Sequence, residues 1–229
     1  MVDNGFSIKE TDKRLQRLGV VATDIDAILV THEHSDHVCG VARFAKRYDI
    51  PVWASHGTSK MIKKLDSINS FNSHQSFNVG DFIVEPIPVP HDAREPTQFA
   101  FKSNELKFAL MTDTGSVTQH MVDALTDCDA LLLECNYDRD MLLNSVYPES
   151  LKRRVMGDWG HLDNQQAIGL LQRLNTDNLQ HLVLAHVSEK NNSHDLVLDS
   201  VSAAIQCDRA WLQVIDQEQG LDWCSVKQN

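Results

Sequence analysis

Four potential metal ligands lie within six consecutive positions of this sequence: His32, His34, Asp36 and His37. Neutral imidazole nitrogens bind Zn, Fe, Ni or Mn, and a carboxylate adds a hard oxygen ligand for Mn or for a second Zn. Because alternate side chains of an extended segment point the same way, His32 and His34 can share one ion. Asp36 and His37 follow where the chain turns into a helix, so they can serve a second ion. A polar loop that carries these histidines by chance is the alternative, and their spacing argues against it.

Three further candidate ligands follow short apolar runs that are typical of β-strands. His91 comes after "IPVP", Asp113 after "FALMT" and His186 after "HLVLA". Each of them alone would be more typical of a capping or turn residue. Strand ends present their side chains at a shared rim of a sheet, so together with the first cluster these residues complete two sets of ligands.

The elements that position these residues are predicted from hydrophobic periodicity, capping residues and turn signals. The patterns predict strands over 26–32, 51–54, 77–89 with a hairpin turn at Gly80-Asp81, 98–102, 106–112, 129–135, 181–188, 211–215 and 223–226. They predict helices over 7–17, 38–48, 58–65, 117–125, 138–144, 148–156, 163–174 and 195–205. Since no linker or low-complexity stretch interrupts this alternation, the sequence predicts a single α/β domain over residues 1–229.

The composition is that of a globular protein, with 42% hydrophobic and 23% charged residues among 229. Apolar runs stay below the roughly 18 residues of a membrane-spanning helix. No basic and apolar leader follows Met1, so we expect a cytoplasmic protein without a membrane partner. The net charge of −11 argues against nonspecific adhesion to nucleic acid or anionic membranes, although bound metal ions can reverse the local sign for a phosphate substrate. The five scattered cysteines contain no CxxC pair and fit free thiols in a reducing compartment.

The motif HxHxDH, followed by His, Asp and His at successive strand ends, resembles the metallo-β-lactamase superfamily. The resemblance implies a four-layer αβ/βα sandwich that holds two divalent metal ions, Zn or Mn, with Fe as a further option. It implies that the first ion is bound by His32, His34 and His91, and the second by Asp36, His37 and His186, with Asp113 as the bridge. Asp3 in "VDNG" matches an aspartate that supports the ligands in this superfamily.

Three segments resemble a narrower group, the YycJ/WalJ-like exonucleases. They are "LLLECNYDRDML", "YPESLKRRVMGDWGHLDNQQA" and "LAHVSEKNN". Other branches of the superfamily fit less well. Zinc β-lactamases commonly carry Arg in place of His37 and Cys in place of Asp113, and flavodiiron proteins carry Glu in place of His34. Glyoxalase II adds a helical C-terminal region, and the β-CASP nucleases carry a large insert. Proteins of the YycJ/WalJ-like group normally begin with an extra strand pair before "VDNG". Here Met1 directly precedes this segment, so we expect a fold without that N-terminal pair.

Two further features are candidates for contacts to a substrate. His161 precedes the helix that Asp163 is predicted to cap. It is either a helix-start histidine with local hydrogen bonds or a group that binds phosphate or donates a proton, like the Gly-His of related phosphodiesterases. Lys152, Arg153 and Arg154 form a compact basic run in an acidic chain. The run is either a solvated helix face or a contact to a phosphate backbone.

Together these features predict a metal-dependent phosphodiesterase, and the YycJ/WalJ resemblance implies DNA as the substrate, cut from a 5′ end. Two ions about 3.5–4 Å apart would share a hydroxide that attacks phosphorus in line. Asp36 would orient this nucleophile, Asp113 would fix the metal separation, and His161 would steady or protonate the leaving oxygen. The alternative reaction is hydrolysis of a small ester, thioester or cyclic phosphodiester. The alternative class is a non-catalytic regulator stabilised by metal, and the complete ligand set weighs against it.

Overall fold

The computed structural model describes residues 1–228. The chain divides into two compact units. The first comprises Met1–Pro88 and Ala93–Phe99, and the second comprises Val89–Asp92 and the chain from Ala100 onward. Within the described residues, no helix is both long and apolar enough to cross a membrane. The single domain over 1–229 stays a prediction.

The first unit is built on a small parallel sheet. Its strands are β1 (Ile28–Val30), β2 (Val52–Ser55) and β3 (Asn69–Phe71), in the order β1-β2-β3. Ile28 lies opposite Val52, and Val30 lies opposite Ala54. All three residues of β1 are buried, as expected for a strand that is covered on both faces. The same unit contains an antiparallel hairpin, β4 (Phe77–Val79) and β5 (Phe82–Pro88). It turns at Gly80 as predicted, where φ is +55°.

Four helices belong to the first unit: α1 (Ile8–Arg17), α2 (Ser35–Val38), α3 (Val41–Tyr48) and α4 (His56–Ser59). Ser7 begins α1 as predicted, because its hydroxyl accepts a hydrogen bond from the Glu10 N–H. The predicted helix over 38–48 is broken at Gly40. A Cβ at that position would come within 1.9 Å of the Phe6 carbonyl oxygen, so the chain passes there only because the residue is glycine.

The second unit is built on four adjacent parallel strands. The chain enters it within β6 (Thr97–Ser103), and the four strands are β7 (Leu106–Met111), β8 (Ala130–Glu134), β9 (His181–Ala185) and β10 (Gln213–Val214). They lie side by side in that order, and every pairing among them is parallel. Met111 lies opposite Leu133, and Glu134 lies opposite Ala185. The carboxyl ends of β7, β8 and β9 therefore meet at one edge of the sheet.

Five helices belong to the second unit: α5 (Gln119–Leu125), α6 (Arg139–Leu143), α7 (Glu149–Val155), α8 (Asn164–Leu171) and α9 (His194–Ile205). Two short 3₁₀ helices, Ala22–Asp24 and Arg209–Trp211, complete the regular elements of the described residues. Asp163 caps α8 as predicted. Its carboxylate accepts from the Gln166 N–H at 2.7 Å, and the Gln166 side chain accepts from the Asp163 N–H at 2.9 Å. This reciprocal capping box fixes the start of the helix.

Two predicted elements are wrong. The helix over 58–65 is only the short α4, because Ile62 packs into the core of the first unit and Lys64 adopts a left-handed backbone with φ of +73°. Tertiary packing there overrides the local helical pattern. The strand over 223–226 does not form either. Trp223 is 71% exposed, and the neighbouring Lys227 is held by the side chain of Gln180 instead of a strand ladder.

Candidate functional site

The first unit carries the HxHxDH motif in the loop after β1 and in the helix α2 that follows it. Three of its rings pack together: the centroid of His32 lies 4.5 Å from that of His34 and 4.1 Å from that of His37. His34 is the N-cap of α2, with extended backbone angles that turn the chain into the helix. The side chain of Asp36 is 70% exposed, and its carboxylate lies 3.5 Å from Nε2 of His37.

Asp3 holds this loop in place. One of its carboxylate oxygens accepts from the Thr31 N–H at 2.8 Å; the other accepts from the Thr31 hydroxyl at 2.7 Å and from Nδ1 of His37 at 2.8 Å. Since the Thr31 hydroxyl donates its hydrogen to Asp3, it accepts from Nδ1 of His32 at 3.0 Å. Both imidazoles therefore carry their hydrogen on Nδ1, which leaves the lone pair of Nε2 for a ligand.

The N-terminal segment positions Asp3 by backbone contacts. The Asp3 N–H donates to the Leu29 carbonyl at 2.8 Å, and the Asn4 N–H donates to the His37 carbonyl at 2.7 Å. Gly5 lies so close to α2 that a Cβ there would fall 1.8 Å from the Asp36 carbonyl oxygen. The "VDNG" segment thus binds both ends of the histidine loop.

The second unit gathers its chemistry at the carboxyl ends of its parallel strands. Asp113 follows β7, Glu134 ends β8 and His186 follows β9. Together with His161 they form the strand-end cluster, in which one potential ligand atom from each residue lies within 4.8 Å of the others. Asp113 and His186 adopt left-handed backbones, with φ of +51° and +55°. Such strained conformations concentrate at functional sites.

Glu134 is the centre of this cluster, although it was not predicted from the sequence. Its side chain is completely buried. One oxygen accepts from Nδ1 of His186 at 2.7 Å and from Nδ1 of His161 at 2.9 Å. The other accepts from the backbone N–H groups of Thr114 and Leu162. Burial pushes the pKa of Glu134 upward, but the hydrogen bonds from the two histidines outweigh burial and hold the pKa below its usual value. A charged residue that ends the apolar run "ALLLE" was the signal that could have revealed it.

His161 lies in the loop that joins α7 to α8, and its side chain is 23% exposed. Its ring centroid is 5.3 Å from that of His91 and 5.1 Å from that of His186. Nδ1 of His161 also lies 3.9 Å from a carboxylate oxygen of Asp113. His161 is thus brought to the strand-end cluster, and its role in catalysis stays a prediction.

His91 is held by the same loop. Nδ1 of His91 donates to the Gly160 carbonyl at 3.0 Å, and the ring is 2% exposed. Burial lowers the pKa of His91 and outweighs the opposite effect of the Asp113 carboxylate. The ring is therefore neutral near pH 7, which is the form that binds metal ions.

The structure treats the three residues of the basic run differently. Lys152 is buried, and its ammonium donates to the Leu143 carbonyl at 2.7 Å. Arg154 pairs with Asp92 at 2.6 Å. Arg153 is exposed on α7. A contact between this run and phosphate stays a prediction, and the buried ammonium of Lys152 makes Arg153 the better placed of the three.

The donor chemistry of these residues fits divalent transition-metal ions. Five imidazoles have Nδ1 within hydrogen-bond distance of a carboxylate, carbonyl or hydroxyl oxygen: His32, His37, His91, His161 and His186. Metal-binding histidines are typically fixed in this way, with the outer nitrogen bound to an acceptor and the inner one facing the ion. Asp36 and Asp113 add the carboxylate oxygens.

Comparison with known proteins gives consistent findings. A family model described as the β-lactamase superfamily domain matches residues 1–187. The exodeoxyribonuclease YycJ of Bacillus anthracis is 38% identical over 214 residues, which cover 90% of this chain and 80% of that protein. The exodeoxyribonuclease WalJ of Streptococcus pneumoniae is 34% identical over 204 residues, which cover 86% of this chain and 76% of that protein. The crystal structure of the metallo-β-lactamase fold protein YhfI from Bacillus subtilis superposes with a TM-score of 0.73 at 16% identity, covering 97% of this chain and 85% of that one. This likeness shows the fold that the motif predicted.

Proposed function

The chain belongs to the metallo-β-lactamase superfamily and, within it, to the group of YycJ and WalJ, and from this premise we propose that it degrades DNA as a 5′ exonuclease. As a member of this group it is a metal-dependent hydrolase. The strand-end cluster carries the proposal, because a buried carboxylate there orients two histidines beside Asp113. That two relatives are exodeoxyribonucleases supports DNA as the substrate class.

The proposed metal ligands are those of the superfamily pattern, and they would hold two divalent ions, Zn or Mn, with Fe as the alternative. One ion is assigned to His32, His34 and His91, the other to Asp36, His37 and His186, and Asp113 to both. Bound ions of this kind acidify water and neutralise charge on phosphoryl oxygens. The assignment is supported by the hydrogen bonds that the rings make within their own units. Nδ1 of His37 is bound to Asp3, Nδ1 of His91 to the Gly160 carbonyl, and Nδ1 of His186 to Glu134.

The remaining steps fall to side chains of the chain itself. Asp36 is the exposed carboxylate of the HxHxDH motif. It can therefore accept a hydrogen bond from the attacking water and orient that water. His161 has Nδ1 bound to Glu134, so when the ring is protonated the second hydrogen sits on Nε2. In this form Nε2 can pass its proton to the leaving alkoxide.

The test is hydrolysis of end-labelled single- and double-stranded DNA after reconstitution with Zn or Mn. We expect stepwise release of nucleotides from the 5′ end, so that a 5′ label appears in small products before a 3′ label does. S-lactoylglutathione and bis-p-nitrophenyl phosphate serve as competing substrates. Efficient turnover of the thioester without cleavage of DNA would replace the proposal by a small-ester hydrolase.

Asp113→Asn tests the metal assignment. Asn tolerates the left-handed backbone that this position requires, so the variant should fold. It should lose one of the two ions and nearly all hydrolysis. Elemental analysis of the folded variant decides: full occupancy by both ions together with lost hydrolysis would remove Asp113 from the bridging position.

The cytoplasmic location stays a prediction.

A further inference from the structure

A cavity of about 420 Å³ opens in the second unit beside His161 and His186. Its volume lies within the range of about 300–1,000 Å³ that is typical of small-molecule sites. Apolar side chains of α7 line it together with Tyr147, Asn191 and Asp216. The two histidines of the strand-end cluster therefore share this space with residues for which the proposed hydrolysis has given no role.

Asn191 is the first sign that the cavity takes a ligand. Its side chain is 2% exposed, and within residues 1–228 its amide oxygen has no hydrogen-bond partner. The backbone around it is fixed, because its N–H donates to the Ser188 hydroxyl and its carbonyl accepts from the Asp138 N–H. Buried polar groups are nearly always satisfied. This amide oxygen has less than 1 Å² of accessible surface, so an occupant that offers hydrogen-bond donors would complete it once the side chain turns toward the cavity.

The carboxylates of the cavity favour a neutral occupant over phosphate beside them. Of the described residues that line it, none is a lysine or an arginine, whereas Glu189 and Asp216 contribute carboxylates. The backbone N–H groups of Gln219 and Glu218 donate to Asp216 and lower its pKa, so this carboxylate is ionised at neutral pH. Two negative charges repel an anion but accept hydrogen bonds from neutral amino and hydroxyl groups.

Tyr147 gives the cavity a flat aromatic face. Tyr147 is partly exposed and lines the cavity, and Nζ of Lys190 lies over one face of its ring, 6.0 Å from the centroid. Aromatic rings bind nucleobases by stacking, and this stacking tolerates every base because each base has a π-face. A platform of this kind suits an enzyme that removes nucleotides irrespective of sequence.

We infer that this cavity binds the base and sugar of one terminal nucleotide, stacked on Tyr147 and hydrogen-bonded to Asn191, while the phosphate stays outside it beside His161 and His186. The inference rests on the proposed nuclease function and names the substrate of that same site. A cavity of 420 Å³ has no room for a duplex, whose major groove alone is about 12 Å wide. The substrate end is therefore single-stranded when it is cut, and the product is a mononucleotide.

The first experiment measures binding of deoxyadenosine to the full chain by equilibrium dialysis, because this probe has a base and a sugar but no phosphate. We expect saturable binding that inorganic phosphate does not compete away. Tyr147→Ala should weaken it roughly 10-fold, as expected for the loss of one stacked base. Tyr147→Phe keeps the aromatic face and should change it less than about 2-fold. Tyr147→Leu keeps apolar bulk without a π-face and should behave like Tyr147→Ala, which separates stacking from any loss of folding.

The matched control is Trp223→Ala, which removes an aromatic side chain that is 71% exposed and does not line the cavity. It should leave deoxyadenosine binding unchanged. The second experiment measures KM and kcat on single-stranded DNA, where Tyr147→Ala should raise KM and leave kcat within about 2-fold, since uniform binding is removed.

The outcomes separate this inference from the proposed function. Absence of deoxyadenosine binding, or binding that is equal in wild type and in the folded Tyr147→Ala and Tyr147→Leu variants, overturns the inference. DNA cleavage with an unchanged KM in these variants overturns it too, and leaves the nuclease function standing. Binding that depends on Tyr147 in a protein that cuts no DNA supports the nucleoside site and overturns the nuclease.

Discussion

Glu134 shows how one buried side chain can determine the geometry of several others. Two histidines and two backbone N–H groups donate to its oxygens. The parallel register puts Glu134 opposite Ala185, one residue before His186, so the pairing of β8 with β9 itself brings this carboxylate to the imidazole. Removing the carboxylate would leave both rings without their acceptor, which is why Glu134 is a positioning residue.

Glu134→Gln should weaken metal binding by about 10- to 100-fold, the usual effect of losing an outer partner of a ligating histidine. The Gln side chain has one acceptor oxygen where Glu has two. Its NH₂ group is a donor and would face either the two imidazoles or the two backbone N–H groups, which are donors as well. Chelator competition measures the dissociation constant for Zn or Mn. Glu218→Gln, an exposed residue of the same unit, is the control and should match wild type. Equal metal affinity in both variants would mean that Glu134 stabilises the fold alone.

His161→Ala should reduce DNA hydrolysis by about 10²- to 10⁴-fold, the usual contribution of a general acid. Cleavage of bis-p-nitrophenyl phosphate should fall much less, because nitrophenolate leaves without protonation. Metal content and thermal stability should stay close to wild type. The position of His161 within the strand-end cluster also permits it to bind an ion, and loss of metal in the variant would assign it that role instead.

At the scale of the elements, the loop that joins α7 to α8 is fitted closely against the turn after β7. A Cβ on Gly115 would lie 2.3 Å from the Gly160 nitrogen and 2.6 Å from the Asp158 carbonyl oxygen. The Gly160 carbonyl in turn holds His91, and His161 follows directly. The spacing of these two turns therefore sets where both imidazoles lie.

Gly115→Ala should push this loop away and destabilise the protein by about 1–3 kcal/mol, the usual range for overpacking. It should also lower hydrolysis, since His91 and His161 move with the loop. Gly169→Ala is the control, because Gly169 lies within α8 and its Cβ would meet no atom within 4 Å. That change should stabilise by about 0.4–1 kcal/mol, since alanine restricts the unfolded chain more than glycine does. Urea unfolding measures both, and equal stability of the two variants would contradict the tight fit.

Elements that depend on capping and turn residues were predicted from the sequence more accurately than features that depend on contacts with distant parts of the chain. Ser7 and Asp163 cap their helices because their side-chain oxygens meet the nearest N–H groups, and Gly80 marks a hairpin turn with positive φ. The strand ends at Asp113 and His186 followed from the apolar runs before them. The break at Gly40 was not predictable, because it depends on the approach of Phe6 from a distant part of the chain. For the same reason Glu134 was missed: its partners His161 and His186 are 27 and 52 residues away.

For the whole molecule, a net charge of −11 means that DNA approaches an acidic protein. Association then depends on bound metal ions and on exposed cations of the surface. Lys152 and Arg154 already donate to Leu143 and Asp92. Arg153 is thus the residue of the basic run from which we expect a phosphate contact.

Arg153→Gln should weaken binding of single-stranded DNA and reduce the slope of log K against log salt by about 0.7, the value for one lost phosphate contact. Lys152→Gln should leave the slope unchanged but destabilise the protein, because its ammonium is buried against the Leu143 carbonyl. Fluorescence anisotropy between about 50 and 200 mM salt, with a chelator present so that the DNA is not cut, measures the slope. Lys227→Gln, an exposed cation at the C-terminal end of the second unit, serves as the control. If the slope is the same in wild type, in Arg153→Gln and in the triple variant that also replaces Lys152 and Arg154, the basic run is a solvated face of α7. Other groups of the protein must then account for the DNA affinity that is measured without metal.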